Sequence, residues 1–160
     1  PVAGEGETPT IILMEPQLAD NIGMVARACA NFGLDDLRLV NPRDGWPNEK
    51  ARIAASGANY VIDDARPYEK LEESIADLNW VGATTARQRD MRKPVLTPEQ
   101  AIAEMRTRIG RGERCGILFC ACAGREIRAR PSASHLHRIL FLHAGVFRPK
   151  FFSRPCQWLL

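Results

Sequence analysis

Residues 21–42 read NIGMVARACANFGLDDLRLVNP, an apolar helical pattern that leads through Asn-Phe-Gly into a short strand-like segment. Apolar residues recur at i, i+3, i+7 and i+10, the spacing of a helix face that packs on a core. The pattern predicts a helix from about Ile22 to Phe32, ended by Gly33 in the left-handed conformation. The predicted core face consists of Ile22, Val25, Cys29 and Phe32.

The same predicted helix carries an arginine near its middle. Asp20, Met24, Arg27 and Asn31 follow i, i+4, i+7 and i+11, so they share a second face away from the core. Arg27 is therefore predicted to point outward, and spacing alone favours a solvated surface cation. Asp20 or Asn21 is the predicted N-terminal cap, because their side-chain oxygens accept hydrogen bonds from free helical N–H groups.

Strand and helix patterns alternate on both sides of this stretch. Such alternation predicts an α/β fold, a mostly parallel sheet with helices on both faces. Ligands bind such sheets at the carboxyl ends of the strands. The predicted strands are 9–14, 37–40, 60–62, 80–84 and 115–119, and the predicted helices are near 48–56, 68–78 and 98–109, the last capped by Thr97.

Composition places the chain among ordinary globular proteins. Its 160 residues are 45% hydrophobic and 26% charged, which fits one domain with a sizeable core. No apolar run approaches 18 residues and no basic-then-apolar start is present, so neither a membrane span nor a secretory signal is expected. A cytoplasmic protein with reduced thiols is expected, because the five cysteines are odd in number and form no regular framework.

Charge is distributed unevenly along the chain. Residues 1–114 hold 15 Lys+Arg and 18 Asp+Glu, whereas residues 115–160 hold 7 and 1. The net charges are therefore −3 and +6, and all three histidines lie in the second part. The composition changes abruptly near Cys115 to Cys120.

Two long segments resemble a known family. Residues 15–58, EPQLADNIGMVARACANFGLDDLRLVNPRDGWPNEKARIAASGA, and residues 83–98, ATTARQRDMRKPVLTP, are similar to motif regions of the SpoU/TrmH-type branch of the SPOUT superfamily, most closely its TrmJ-like tRNA methyltransferases. The resemblance covers about residues 9–119. It implies 2′-O-methylation of a ribose in tRNA or another structured RNA, S-adenosylmethionine as cofactor, a C-terminal trefoil knot and a homodimer. The Gly-x-Gly-x-x-Gly and Gly-Lys-Ser/Thr motifs of ordinary nucleotide sites are absent.

The resemblance also assigns candidate site residues. By motif, Asn21, Arg27 and Glu126 correspond to catalytic positions, and Thr84, Thr85, Ala86 and Gly124 to cofactor-binding positions. The basic residues Arg87, Arg89, Arg92 and Lys93 suit phosphate contacts with RNA, as would a solvated loop.

The chemistry of arginine limits what Arg27 can do. A guanidinium offers a fixed fork of N–H donors for phosphate and lowers the cost of forming an alkoxide beside it. It is a poor general base, because it almost never loses its proton. An electrostatic and positioning role is therefore expected.

The resemblance stops after Phe119. Cys120–Ala123 intervenes before Gly124-Arg125-Glu126, and the Ser-Leu-Asn segment that the family uses for its knot is absent downstream. We therefore divide the chain into a methyltransferase body, 1–119, and a divergent or frame-shifted segment, 120–160. Such a tail would leave the knot incomplete and contribute no pattern that completes the sheet. A catalytically inactive RNA-binding domain with a degenerate cofactor site is the alternative function.

Metal binding is the remaining alternative. Zinc prefers thiolate and imidazole ligands in paired spacings such as Cys-x-x-Cys, which this chain lacks, so no metal site is expected. The candidate ligands are Cys115, Cys120, Cys122, His135, His137, His143 and Cys156.

Overall fold

The computed structural model describes residues 8–85, 95–120 and 139–143, with the backbone alone at 85, 120 and 139–143. Seven strands form one sheet in the order β3-β2-β1-β6-β4-β7-β5, and every pairing between them is parallel. The prediction of a mostly parallel sheet is confirmed. The strands are β1 Thr10–Met14, β2 Leu37–Val40, β3 Arg66–Tyr68, β4 Trp80–Thr85, β5 Val95–Leu96, β6 Cys115–Cys120 and β7 Ile139–His143.

Helices cover both faces of the sheet, as predicted. The helices are α1 Ala19–Asn31, α2 Glu49–Ala55, α3 Asn59–Asp63, α4 Leu71–Ser74 and α5 Pro98–Ile109. Helices α1, α2 and α3 pack on the face that carries Ile11, Leu37 and Leu39, whereas Leu71 of α4 packs on the face that carries Ile12 and Leu118. Helix α5 packs its buried Ala101 and Met105 against Trp80. No helix among the described residues is long and apolar enough to cross a membrane.

Helix α1 ends as the sequence predicts but begins earlier. Gly33 has φ +68°, and the N–H groups of Gly33 and Leu34 donate to the carbonyls of Ala30 (3.3 Å) and Cys29 (2.9 Å), the two bonds of a Schellman motif. Phe32 is the residue at the C-terminal cap and is 80% exposed, so its predicted place in the core is wrong. Ile22 and Cys29 are buried as predicted, and Ala26 joins them.

The cap of α1 comes from a distant residue rather than from Asp20 or Asn21. The N-terminal cap position is Leu18, which offers no side-chain acceptor. Oδ2 of Asp44, in the connection after β2, accepts instead from the backbone N–H of Ala19 at 3.3 Å. The predicted local cap is therefore wrong, because helix α1 already includes Asp20 and Asn21 in its first turn.

Two elements between β2 and β4 also differ from their predictions. The expected strand 60–62 lies within helix α3, where Val61 and Ile62 use one turn to pack into the core. The third strand is instead β3, whose Pro67 is tolerated because β3 lies at the edge of the sheet. The expected helix 68–78 is regular only over Leu71–Ser74.

A strand from the C-terminal segment joins the sheet. Ile139–His143 lies between β4 and β5, and Phe141 pairs with Ala83 on one side and with Val95 on the other. The expectation that residues 127–160 lack the pattern needed to complete a parallel sheet, with only local packing by segments such as 139–142, is therefore wrong for this segment. Residues 121–138 and 144–160, which the knot prediction concerns, lie outside the described residues.

Helices α1 and α2 are in close contact at a glycine. A Cβ placed on Gly23 would lie 2.3 Å from the carbonyl oxygen of Ala51 and 2.6 Å from Cβ of Ala54. Ala51 and Ala55, both buried, complete the small-residue surface of α2. The main chains of the two helices can therefore approach only because both surfaces carry small side chains.

We expect Gly23→Ala to lower the free energy of unfolding by about 1 to 3 kcal/mol, the usual cost of forcing extra atoms into a packed interior. Urea denaturation followed by circular dichroism measures the change. Gly110→Ala is the matched control, because that glycine has φ −62° and its added Cβ meets nothing closer than 3.4 Å. Equal effects of the two substitutions would contradict close packing as the cause.

The amino ends of the strands are held by a buried arginine. Arg38 of β2 is 1% exposed, and its guanidinium donates to Asp77 (2.6 Å), Asp36 (2.9 Å) and the carbonyl of Ser74 (2.6 Å). Asp36 also accepts from the hydroxyl of Thr10 at 2.6 Å. These bonds join the residues that precede or begin β1, β2 and β4.

Both carboxylates of this network have a lowered pKa. Burial raises the pKa of Asp36, but hydrogen bonds from Arg38, Thr10 and Arg66 lower it by more. Hydrogen bonding from Arg38 lowers the pKa of Asp77 against a smaller effect of burial. Because the folded state holds these pKa values below 3.8, the two groups stabilise the fold above about pH 4, and this contribution is lost as the pH falls through the folded values.

We expect Asp77→Asn to lower stability at pH 7 by about 1.5 to 3 kcal/mol, because it removes a charged acceptor from a buried guanidinium. Stability should also fall less steeply between pH 5 and about pH 2 than in the unchanged protein. Thermal melts across this pH range measure both effects. Asp63→Asn is the control, since Asp63 pairs with Arg52 on the surface. A small effect of Asp77→Asn, equal to the control, would contradict the role of the network.

Candidate functional site

The carboxyl edge of the sheet is built from sharp turns that follow β1 and β2. Glu15 and Asn41 come directly after these strands and have φ of +49° and +47°. The N–H of Glu15 donates to the carbonyl of Val40 at 2.8 Å, and the N–H of Asn41 donates to the carbonyl of Tyr68 at 2.9 Å. These bonds extend the parallel pairing by one residue. The positive φ of Glu15 and Asn41 then turns the chain out of the sheet at the same edge after both strands.

Helix α1 starts at this edge and runs towards the amino edge of the sheet.

The two candidate catalytic residues on α1, Asn21 and Arg27, do not share a face of the helix. Arg27 lies six positions after Asn21, which places the two about 120° apart around the helix and about 9 Å apart along it. Asn21 is 9% exposed, whereas Arg27 is exposed. The structure therefore does not bring the side chains of Asn21 and Arg27 together within one chain.

Arg27 points away from the core, as predicted. Among the described residues it makes no hydrogen bond or ion pair, unlike Arg38, Arg52 and Arg66, each of which contacts a carboxylate. None of its five N–H donors is taken by a described residue, so a ligand can use them without breaking a bond to that part of the chain.

Thr84 is the one cofactor-binding candidate whose side chain the structure describes. It lies near the carboxyl end of β4, half-buried, and its hydroxyl donates to the carbonyl oxygen of Leu118 on the neighbouring strand β6 at 3.3 Å. The hydroxyl proton is committed to this bond, so the same oxygen can only accept from a ligand. The position fits a cofactor pocket at the carboxyl edge and also serves to join β4 to β6.

The other candidates fall partly or wholly outside the described residues. The backbone of Thr85 is described as the last residue of β4, but its side chain is not. The remaining cofactor and catalytic candidates, Ala86, Gly124 and Glu126, and the RNA-binding candidates, Arg87, Arg89, Arg92 and Lys93, lie outside the described ranges.

The described cysteines are buried thiols. Burial raises the pKa of Cys29 and of Cys115 to about 11 in each case, so both thiols stay protonated and unreactive at neutral pH. Within residues 8–85, 95–120 and 139–143, no group of three or more potential ligand residues is placed to hold a metal ion. Most of the proposed zinc ligands lie outside these ranges.

A polar cluster at the same edge was not predicted from the sequence. Nη1 of Arg43 donates to Oε1 of Gln17 at 3.2 Å, and Nε2 of Gln17 donates to the carbonyl of Glu15 at 2.8 Å. The side chain of Asp44 joins the cluster through its bond to Ala19. Gln17 and Arg43 are 26 residues apart, so no local pattern links them. The sequence does show that Gln17 and Arg43 each follow a predicted strand, and the carboxyl ends of neighbouring parallel strands lie at one edge of a sheet.

Comparison with known proteins identifies the family. Residues 8–110 match the SpoU rRNA methylase family, which is more than half of the chain. The chain belongs to this family. Its segments with Asn21, Arg27 and Thr84 all lie inside the matched range.

Named relatives point to one branch of the family. The chain is 33% identical to a tRNA (cytidine-2′-O-)-methyltransferase TrmJ of Methanocaldococcus jannaschii, over 63% of this chain and 46% of that protein. It is 39% identical to the tRNA (cytidine/uridine-2′-O-)-methyltransferase TrmJ of Escherichia coli, over 56% of this chain and 36% of that protein. The chain thus spans less than half the length of these two relatives.

Solved structures share the fold. TrmJ from Z. mobilis ZM4 superposes with a TM-score of 0.73 at 46% identity, covering 90% of this chain and 61% of that one. A putative methylase family protein from Neisseria gonorrhoeae gives a TM-score of 0.72 at 25% identity, covering 96% and 78%. Both matches agree with the α/β architecture described above and with the SPOUT fold expected from the sequence.

Proposed function

We propose that this chain carries the catalytic body of an S-adenosylmethionine-dependent methyltransferase that methylates a ribose 2′-hydroxyl in tRNA. The single observation that carries the proposal is an exposed Arg27 on α1 that has no partner among the described residues and lies inside a sequence region that matches the SpoU family. The relatives named above as tRNA 2′-O-methyltransferases support tRNA as the substrate.

Arg27 acts by electrostatics in this proposal. Methyl transfer would form a bond from the ribose 2′-oxygen to the methyl carbon and break the bond from that carbon to the sulfonium sulfur, so that S-adenosylhomocysteine leaves and the hydroxyl proton passes to water. Negative charge develops on the 2′-oxygen as its proton leaves. A guanidinium within hydrogen-bond distance stabilises that charge without giving up a proton, and it can hold the neighbouring phosphate with its second N–H edge. No carboxylate in the described part of the chain pairs with Arg27, and this supports the role because none of these groups already neutralises its charge.

The cofactor binds at the carboxyl end of β4 in this proposal. S-adenosylmethionine supplies an electrophilic methyl group on a positively charged sulfur. Thr84 contributes an acceptor oxygen, since its proton is held by Leu118, and Thr85 and Ala86 contribute by their place in the motif. Gly124 and Glu126 keep their assignments from the family motif, as do Arg87, Arg89, Arg92 and Lys93 for RNA.

We further propose that the chain acts as a homodimer in the cytoplasm. Helix α1 starts at the carboxyl edge, and Arg27 lies eight residues along it, about 12 Å from that edge. This distance favours an arrangement in which one protomer brings Arg27 to the cofactor edge of its partner. Phe32, 80% exposed near the end of the same helix, supports self-association because a large apolar side chain is stabilised by burial.

In a chain whose C-terminal region is restored to the family's sequence, we expect Arg27→Ala to reduce methyl transfer to tRNA at saturating substrate by about 100-fold or more, the scale of losing one donor to a developing oxyanion. Incorporation of labelled methyl groups into unmodified tRNA measures the rate. The fold should survive, because the side chain is exposed and without partners in the described structure. Arg106→Ala on α5 is the matched control, an exposed helical arginine for which no catalytic role is proposed. Unchanged turnover of Arg27→Ala would contradict the catalytic assignment.

We expect the chain as written to bind S-adenosylmethionine at least about 100-fold more weakly than a version in which the family's sequence is restored after Glu126. The reason is that the tail supplies one wall of the cofactor pocket in the family motif. Titration calorimetry on both versions measures the difference. Equal affinities would show that residues 120–160 already complete the pocket and that the frame-shift hypothesis is wrong.

A further inference from the structure

Two hydrogen bonds orient Arg43 at the carboxyl edge of the sheet. Its backbone N–H donates to the carbonyl of Pro16 at 3.2 Å, and its Nη1 donates to Oε1 of Gln17 at 3.2 Å. The amide of Gln17 is oriented in turn by its bond to the carbonyl of Glu15. The side-chain oxygen of Gln17, in the loop after β1, therefore orients the guanidinium of Arg43, in the loop after β2.

Much of this guanidinium is open. The side chain of Arg43 is 56% exposed. Gln17 takes one of its five N–H donors, and Oδ1 of Asp44 lies 3.4 Å from Nε, beyond the usual range for a strong charged hydrogen bond. Within the described residues, three N–H groups on Nη1 and Nη2 remain for a ligand. Paired donors of this kind match two oxygens of a phosphate.

Other arginines that form ion pairs in the described structure lie closer to their carboxylates. Arg66 and Arg108 contact carboxylates at 2.6 and 2.8 Å, and Arg114 contacts Asp77 at 3.0 Å. The only carboxylate paired with Arg43 in the described structure is that of Asp44, whose second oxygen accepts from the N-terminus of α1. The positive charge of Arg43 is therefore less fully neutralised than theirs, so it attracts an external anion more strongly.

The location indicates which anion. Arg43 follows β2 at the edge where β4 ends in the cofactor candidates, and it lies beside the start of α1, the helix that carries Arg27. Lys50, exposed in the first turn of α2, adds a second cation to the same connection. A polyanion that reaches the edge from outside would meet Arg43 with its fork of donors already oriented.

We propose that Arg43, aimed by Gln17, binds a backbone phosphate of the RNA substrate. This inference rests on the proposed function, because it assumes that RNA is the substrate of this edge. It adds a binding residue outside the segment 87–93, in the connection that follows β2. The phosphate contact positions the RNA and takes no part in methyl transfer.

The test measures binding of unmodified tRNA by fluorescence anisotropy over a series of salt concentrations. We expect Arg43→Ala to weaken binding by about tenfold at low salt. The slope of log K against log salt should become shallower by about 0.7 to 0.9, the loss of one phosphate contact. Gln17→Ala should weaken binding while leaving the slope unchanged, because it removes the orientation but not the charge.

Two variants serve as controls. Arg111→Ala removes another exposed arginine, at the amino edge beyond α5, and should leave both affinity and slope unchanged. Arg43→Lys keeps the charge and should keep the slope, even though it loses the paired donors. In steady-state methylation, Arg43→Ala should raise KM for tRNA and leave kcat within about twofold of its original value.

The outcomes separate the inference from the proposed function. If the unchanged chain binds tRNA and Arg43→Ala behaves like Arg111→Ala, the inference is wrong and the proposed function stands. A loss of kcat with an unchanged salt slope would assign Arg43 to the placement of α1 and also overturn the phosphate contact. If the unchanged chain binds no tRNA, the proposed function fails and the inference fails with it.

Discussion

The buried guanidinium of Arg38 is the constraint on which the rest of the structure depends. A charge that is 1% exposed is tolerated only when carboxylates and carbonyls satisfy it, so Asp36, Asp77 and the carbonyl of Ser74 must converge on it. Asp77 also binds Arg114 at 3.0 Å. The residues that lead into β2, β4 and β6 are therefore fixed relative to one another at the amino edge. Because these bonds help to fix the register of the strands at the amino edge, the carboxyl ends of the parallel strands also lie side by side at the opposite edge.

The two edges of the sheet consequently carry charge in different ways. At the amino edge, arginines and aspartates neutralise each other inside or against the protein, and their charges serve stability. At the carboxyl edge and on the outer face of α1, Arg43 and Arg27 keep donors that no described carboxylate binds closely. Such a division leaves the donors of Arg27 and Arg43 open to an anion, such as the proposed RNA, without making the fold depend on that anion.

Much of this fold follows from local sequence patterns, and the exceptions have physical causes. The i, i+3, i+7 spacing placed α1, and Thr97 caps α5 by accepting from the N–H of Gln100, as a local motif should. The predicted strand at 60–62 was wrong because three apolar residues fit one helical turn as well as a short strand. The role of Arg38 was not predictable from its strand pattern, since its partner Asp77 lies 39 residues away. The same limit applies to the candidate site: motifs point to Arg27, whereas the bond between Gln17 and Arg43 exists only after β1 and β2 pair.

The geometry of α1 links this framework to the chemistry. Its start is fixed by Asp44, its end by Gly33, and its middle by contact of Gly23 with α2. A helix held at three points cannot rotate about its axis without breaking all three contacts. The backbone position of Arg27, and the face of α1 from which its side chain leaves, are therefore set by residues on the connection after β2, on α2 and at the C-terminal cap, none of which contacts the guanidinium in the described structure. In the proposed function this fixed attachment limits the region that the guanidinium can reach, and its final orientation comes from the negative charge that it binds.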